Sequence, residues 1–188
     1  LSIENDDFMT KFYNTPDVFP QTNCCFDDEN FALCYLHQNS ENKIGSLLLS
    51  DFNEETNEFD EPLMIAENDN GISEPALDCF SNEVYIFSWT QNRHNSKTSY
   101  IVSDIFELAK SNDIHFAVFD RQKNVIISSG VMEDNFDSLK AGRTDGTSDV
   151  AVLSNSKAMI VWNAYDPGSD LTDIYYSIIE KDGKTWTS

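Results

Sequence analysis

The sequence predicts an all-β fold of β-propeller blades, about three four-stranded antiparallel units standing in an incomplete ring. Three observations predict it. A turn flanked by apolar strands recurs without a gap at Phe26–Tyr35, Phe80–Trp89 and Leu153–Trp162, which start 54 and 73 residues apart. The strand after each turn is apolar on both faces, a pattern that fits a sheet covered on both sides. A third strand recurs too: Asp113–Asp120 matches Asp173–Glu180, 60 residues on. Recurrence on this scale marks one supersecondary unit used repeatedly, as in solenoids, propellers and arrays. Two β-sandwiches in tandem would explain the strands but not the matched turns.

The elements follow in order. Phe8–Phe12 reads as the fourth strand of a preceding unit. In the unit over 1–66, a first strand ends at Phe26. A second carries Phe31, Leu33 and Tyr35 on one face against Ala32, Cys34 and Leu36 on the other. A third strand covers Lys43–Ser50, and a fourth starts near Phe59 and runs through Leu63-Met64-Ile65. The unit over 67–148 repeats this with Ala76–Phe80, then Tyr85, Phe87 and Trp89 against Ile86, then Asp113–Asp120 and Val125–Ile127. It carries an insertion after Trp89. There, apolar residues at 102, 105, 106 and 109 have helical spacing, which predicts one short helix capped by Ser99 or Ser103. Residues 132–148, with Gly142 and Gly146, read as loop. The unit over 149–188 has Val150–Leu153, Ala158–Trp162, Asp173–Glu180 and a last strand at Trp186. Four antiparallel strands per unit, radially repeated, describe propeller blades. Tyr35, Trp89 and Trp162 close the second strands and are expected at equivalent packing positions.

Composition narrows the partners. The chain has 188 residues and a formal charge of −21, from 33 acidic and 12 basic residues. Such a surface argues against nucleic acid and anionic membranes, which require basic patches. No apolar run approaches the ~20 residues of a membrane span. Four cysteines stand at 24, 25, 34 and 79. If the first hairpin turns at Glu29-Asn30, Cys25 lies opposite Cys34, and a cross-strand disulfide is expected there. Cys24 and Cys79 are then the second candidate pair. No C-x-x-C spacing occurs, which argues against zinc.

The last segment carries a family resemblance. Asp173–Trp186 resembles the Asp-box, or bacterial neuraminidase repeat, of sialidase-like propellers, which reads Ser/Thr-x-Asp-x-Gly-x-Thr-Trp. Gly183, Thr185 and Trp186 match, whereas Lys181 stands in the Asp position, Ile179 in the Ser/Thr position, and Asp182 is displaced by one. The motif's physics is structural. Gly183 permits the positive φ of a tight turn, Thr185 suits a pleated strand, and Trp186 packs between sheets. The resemblance implies a peripheral, stabilising box.

It also implies what catalysis would require: three arginines on a substrate carboxylate, a Tyr–Glu nucleophile pair and an Asp acid/base. This chain has Arg93, Arg121 and Arg143, with nothing to make them converge. Its many carboxylates show no pair at a defined separation. His37, His94 and His115 stand alone. The sequence therefore predicts a chain that is not an enzyme, without a cofactor. Its expected role is a scaffold, adhesion or interaction module of an extracellular or cell-surface protein. The alternatives are a segment of a sialidase-like glycan hydrolase, and a glycan- or Ca²⁺-dependent binding module. For the last, Asp27–Asn30 and Glu67–Gly71 offer oxygen ligands, though neither is a twelve-residue calcium loop. Three units are too few to close a ring, so further blades or a protein partner are expected to complete it.

Overall fold

The computed structural model describes residues 21–27, 30–38, 44–68, 72–81, 84–92, 112–132, 144–166, 171–181 and 185–187. Three antiparallel sheets follow one another along the chain. The first holds β1 (Thr22–Asp27), β2 (Asn30–Gln38), β3 (Gly45–Asn53), β4 (Glu58–Phe59) and β5 (Leu63–Asn68). The second holds β6 (Ile72–Ser81), β7 (Val84–Asn92), β8 (Asn112–Asp120) and β9 (Val125–Val131). The third holds β10 (Thr144–Ser154), β11 (Lys157–Asp166), β12 (Leu171–Glu180) and β13 (Thr185–Thr187). Both β4 and β5 pair with β3, so together they form one interrupted fourth strand. The break falls at Asp60–Pro62, where proline has no N–H to give the ladder. Each sheet is therefore a blade. The unit boundaries expected at 66 and 148 fall inside β5 and β10. The strand at 8–12, the helix at 100–110 and Gly183 lie outside the described residues.

The hairpin turns coincide with the recurrence in the sequence. Asp27 pairs with Asn30, Ser81 with Val84 and Ser154 with Lys157, each across two residues. Blades 2 and 3 add a bulge beside the turn, at Phe80 and Leu153; blade 1 has none. The turns between third and fourth strands place Asn57 and Asn124 at φ of 56° and 53°. Asparagine tolerates this left-handed region better than most residues. The first of these turns is fixed by Asn53 Oδ1, which accepts the N–H groups of Glu55 and Thr56 at 3.0 and 3.2 Å.

Blade 2 is buried on both faces. Tyr85, Phe87 and Trp89 pack with Cys25, Ala32, Cys34, Leu47 and Leu49 of blade 1. The alternate residues Val84 and Ile86 pack with Val150, Ala158, Ile160 and Trp162 of blade 3. Trp89 and Trp162 occupy corresponding environments. Trp89 stacks on His115 at 5.7 Å, and Trp162 stacks on Tyr175 at 6.0 Å, each the cross-strand partner in its own blade. Tyr35 pairs instead with Leu48 and is half-buried, on the face of blade 1 turned away from blade 2. The outer faces stay apolar and open: Phe26 and Met64 on blade 1 are 68% and 57% exposed, and Ile174 on blade 3 is 70% exposed.

The cysteines correct the expected disulfide. Asp27 pairs with Asn30, which shifts the register from the one the disulfide requires, so Cys25 faces Ala32 and Cys34 faces Asn23. None of the four cysteines forms a disulfide among the described residues. Burial pushes the Cys34 thiol up to about 12 and the Cys25 thiol higher still, which keeps both protonated and unreactive.

Polar contacts lock the blades together at specific points. Asp78 of β6 accepts the Val152 N–H of β10 at 2.6 Å. At the opposite blade junction, Asp51 of β3 accepts the Tyr85 hydroxyl at 3.1 Å and the Arg121 Nε–H. Arg121 also approaches Asp60 at 3.7 Å. Asp51→Ala strips the buried Tyr85 hydroxyl of its acceptor. We expect a loss of about 1–3 kcal/mol, held below the cost of a fully buried pair because Asp51 and Arg121 retain some exposure. Thermal melting should show a fall of roughly 2–10 °C, and Asp51→Asn, which keeps an acceptor, a smaller one. Equal melting temperatures for Asp51→Ala and wild type would refute the contact's importance.

His115 gives the core a pH dependence. Burial against Trp89 lowers its pKa, with Asp113 opposing. The unfolded chain then binds the proton more tightly, so this contribution to stability is full above about pH 6.5 and is lost as pH falls. His115→Tyr, which copies Tyr175 of blade 3, should flatten that part of the curve between pH 7 and 5 in urea titrations. Parallel curves for the two proteins would contradict this.

Candidate functional site

The strand order places β1, β6 and β10 at one edge of their sheets, and β6 packs against both β1 and β10. This is the axial side. The fourth strands splay outward. At the starts of β6 and β10 the ladder breaks in the same way: Glu74 and Pro75 of β6 oppose the single Trp89 of β7, and Gly146 and Thr147 of β10 oppose the single Asn163 of β11. These bulges free the intervening residues from strand alternation and re-aim them.

Between the bulges and the start of β1 lies a cleft of about 550 Å³, lined by Gln21, Thr22, Asn23, Glu74, Pro75, Thr147, Ser148 and Asp149. Two carboxylates, Glu74 and Asp149, line it together with amides, hydroxyls and Pro75. Glu74 has a φ of 53°, an uncommon conformation for a residue with a side chain. Its N–H donates to Gln21 Oε1 of blade 1. Its carboxylate Oε2 accepts the buried Thr90 hydroxyl at 3.5 Å, and that hydroxyl also reaches the Gly146 carbonyl at 3.3 Å. Asp149 Oδ1 accepts the Val150 N–H at 2.9 Å, which fixes its rotamer. Beneath the cleft, the Ser88 and Ser148 hydroxyls bond at 3.0 Å in a buried contact between blades 2 and 3. A Cβ at Gly146 would sit 1.9 Å from Asn163 Oδ1, so a larger residue there has to displace the Asn163 side chain.

A second cleft, about 480 Å³, opens on the far side between blades 1 and 2. Its walls include Asp51, Glu54, Glu55, Asp60, Tyr85 and Arg121. Asp51, Tyr85 and Arg121 already satisfy one another there, so this cleft reads as a blade junction. Among the described residues no group of three or more His, Cys, Asp or Glu is placed to hold a metal ion.

The residues singled out from sequence are dispersed. Thr185 and Trp186 lie on the outermost strand β13, with Trp186 paired to Ile178. Trp89, Trp162 and Tyr35 lie in the middle of their blades. Arg121 serves the blade junction, and His115 stacks in the core; Arg93, Arg143 and His94 are outside the described residues. The cleft residues Gln21, Glu74 and Asp149 belong to no motif in the sequence. Residues 144–148, expected as loop, begin β10, because Asp145–Ser148 break the alternation that marks a strand. The available signal was positional: Ser73-Glu74-Pro75 and Thr147-Ser148-Asp149 each place an acid just before an apolar first strand.

Three solved structures share this arrangement. A microbial sialidase, Hadza Hz136, matches 88% of the chain with a TM-score of 0.58 at 9% identity, over 36% of its own length. The GH93 α-L-arabinofuranosidase of Fusarium graminearum, in complex with arabinobiose, matches 89% with a TM-score of 0.53 at 15% identity, over 49% of its length. The Penicillium chrysogenum α-L-arabinanase, also with arabinobiose, matches 84% with a TM-score of 0.51 at 15% identity, over 44% of its length. The fold is a sialidase-like β-propeller. The chain spans less than half the length of each of these three proteins. No family model matches the chain, and no curated protein matches it.

These likenesses correct the expectation that the chain is not an enzyme. That expectation rested on the missing arginine triad. The triad answers one substrate feature, a sugar carboxylate, and two of the three structures are of enzymes shown with arabinobiose, a neutral sugar. A shortage of arginines is therefore no argument against catalysis. Among the described residues no helix is long and apolar enough to cross a membrane.

Proposed function

We propose that this chain is part of the propeller of an extracellular glycoside hydrolase acting on neutral glycans, bound in the axial cleft with Glu74 and Asp149 as the working carboxylates. The observation that carries this reading is the convergence of those two acids from different blades onto one polar cleft at the axis. Glycoside hydrolysis generally needs two carboxyl groups flanking the scissile bond. One protonates the leaving oxygen; the other attacks the anomeric carbon or activates water. Gln21, Asn23, Thr147 and Ser148 supply donors and acceptors suited to sugar hydroxyls.

Charge supports a neutral substrate. The described cleft lining contains no basic residue, Arg121 is engaged at the blade junction, and the chain carries a charge of −21. An anionic sugar would meet repulsion with no guanidinium to offset it. The open apolar faces of blades 1 and 3 support completion of the ring by further blades, which would supply the rest of the cleft.

The test is hydrolysis by the full-length polypeptide carrying this chain, read as reducing-sugar release from arabinan, xylan and other neutral oligosaccharides, beside sialyl-lactose. Release from a neutral glycan is expected, with none from the sialoside. A polypeptide that cleaves no neutral glycan, or cleaves the sialoside instead, would overturn the proposal.

A further inference from the structure

Glu74 holds a backbone conformation that a side chain makes costly, and a residue from another blade secures it. At φ 53° its N–H points across the blade boundary to Gln21 Oε1, 53 positions earlier in the chain. Gln21 is itself anchored: its carbonyl accepts the Leu36 N–H at 3.1 Å, which ties it to β2 of blade 1. The other end of Glu74 is held within blade 2 and toward blade 3, through Thr90 and the Gly146 carbonyl. Proline follows at 75, which disfavours the right-handed helical region for Glu74 and so narrows its alternatives. Strained backbone at a polar cleft persists only where its surroundings over-determine it.

We propose that Gln21 is a positioning residue for Glu74: by accepting its N–H across the blade boundary, it fixes the left-handed turn that sets the carboxylate in the axial cleft. This inference rests on the glycosidase reading for its catalytic consequence, but its structural part stands apart from it. Removing the acceptor leaves Glu74 free to relax toward an extended backbone. The carboxylate then leaves its place by a distance on the scale at which positioning matters to rate. Substrate binding through the other cleft groups is little changed, so the loss falls on kcat rather than KM.

The variants are Gln21→Met, which keeps the length and removes the acceptor, and Gln21→Glu, which keeps an acceptor. The first readout is structural: amide hydrogen exchange of Glu74 in the ¹⁵N-labelled full-length polypeptide, with the Glu74 resonance identified from its shift in Glu74→Gln. Gln21→Met should speed exchange at Glu74 by roughly fivefold or more, while core amides such as Ile86 and Ile160 keep their protection. Gln21→Glu should restore slow exchange. The second readout is turnover by the full-length polypeptide. Gln21→Met should lower kcat roughly 10- to 100-fold with KM within about twofold, and Gln21→Glu should recover most of it.

Unchanged exchange at Glu74 in Gln21→Met overturns the proposal whatever the activity. A uniform rise in exchange across the core also overturns it, since that is a merely structural role. Selective exchange at Glu74 in a polypeptide that hydrolyses nothing upholds the positioning and refutes the glycosidase reading. Selective exchange with kcat unchanged in an active polypeptide refutes the catalytic part of this inference. Should Gln21→Met fail to fold, Gln21→Leu replaces it with the same expected results.

Discussion

Trp162→Ala is expected to cost about 3–5 kcal/mol, the range for removing a large buried aromatic. Trp162 is 1% exposed, lies between blades 2 and 3, and stacks on Tyr175. Its loss opens a cavity at the centre of one inter-blade core, where neighbouring strands are held by their ladders and cannot collapse to fill it. Domains of this kind are stable by about 5–15 kcal/mol, so the variant would be marginal. Urea denaturation should show the midpoint falling by roughly 1–3 M. Trp162→Phe should cost far less. It keeps a ring against Tyr175, and it removes an indole Nε1 that is buried without an acceptor among the described residues. Trp89→Ala should fall in the same range as Trp162→Ala, because Trp89 is 4% exposed and stacks on His115 in the equivalent place. If Trp162→Ala proved no worse than Ile174→Ala, on the open face, the two-sided packing described above would be untenable.

Glu74→Gln in the full-length polypeptide should lower kcat by about 10²–10⁴, the usual contribution of a general acid or base. Asp149→Asn should have an effect in the same range. Both substitutions keep shape and remove the ability to carry charge or exchange a proton, so the fold is expected to survive, which circular dichroism would check. The far cleft supplies the control. Glu54→Gln and Glu55→Gln alter carboxylates of the blade junction and should leave turnover within about twofold. A Glu74→Gln protein with wild-type kcat, or a loss shared equally by the control pair, would remove the axial cleft from the chemistry.

The two effects differ in what they say about the molecule. The tryptophan is costly because a blade must be covered on both faces, a requirement of the architecture. The glutamate is expected to be costly because, on the proposed reading, it is held in the cleft by a bulged strand, which the architecture permits but does not demand. The first strands contribute to both stability and the proposed chemistry: Cys25, Leu77, Phe80 and Val150 enter the inter-blade cores, while Glu74 and Asp149 line the proposed site. At Glu74 the two meet: Gln21 accepts its N–H across the blade boundary, and Thr90 donates to its carboxylate within blade 2.

What the sequence determined by itself was the repeated blade. Matching polar turns after Phe26, Phe80 and Leu153, and second strands apolar on both faces, are local patterns, and local patterns are what alternation and turn chemistry encode. The pairing of His115 with Tyr175 as equivalent strand positions was legible for the same reason. What tertiary structure alone decided was everything that depends on one blade meeting another. The Cys25 register turned on a one-residue placement of the turn, which alternation does not specify. Tyr35 matches Trp89 in its strand, yet its burial depends on which face has a neighbour. Glu74, Asp149 and Gln21 are unremarkable acids and amides far apart in the chain. They become a site because the first strands of successive blades converge at the axis, and because two bulges, which no local pattern marks, turn polar side chains toward the space between them.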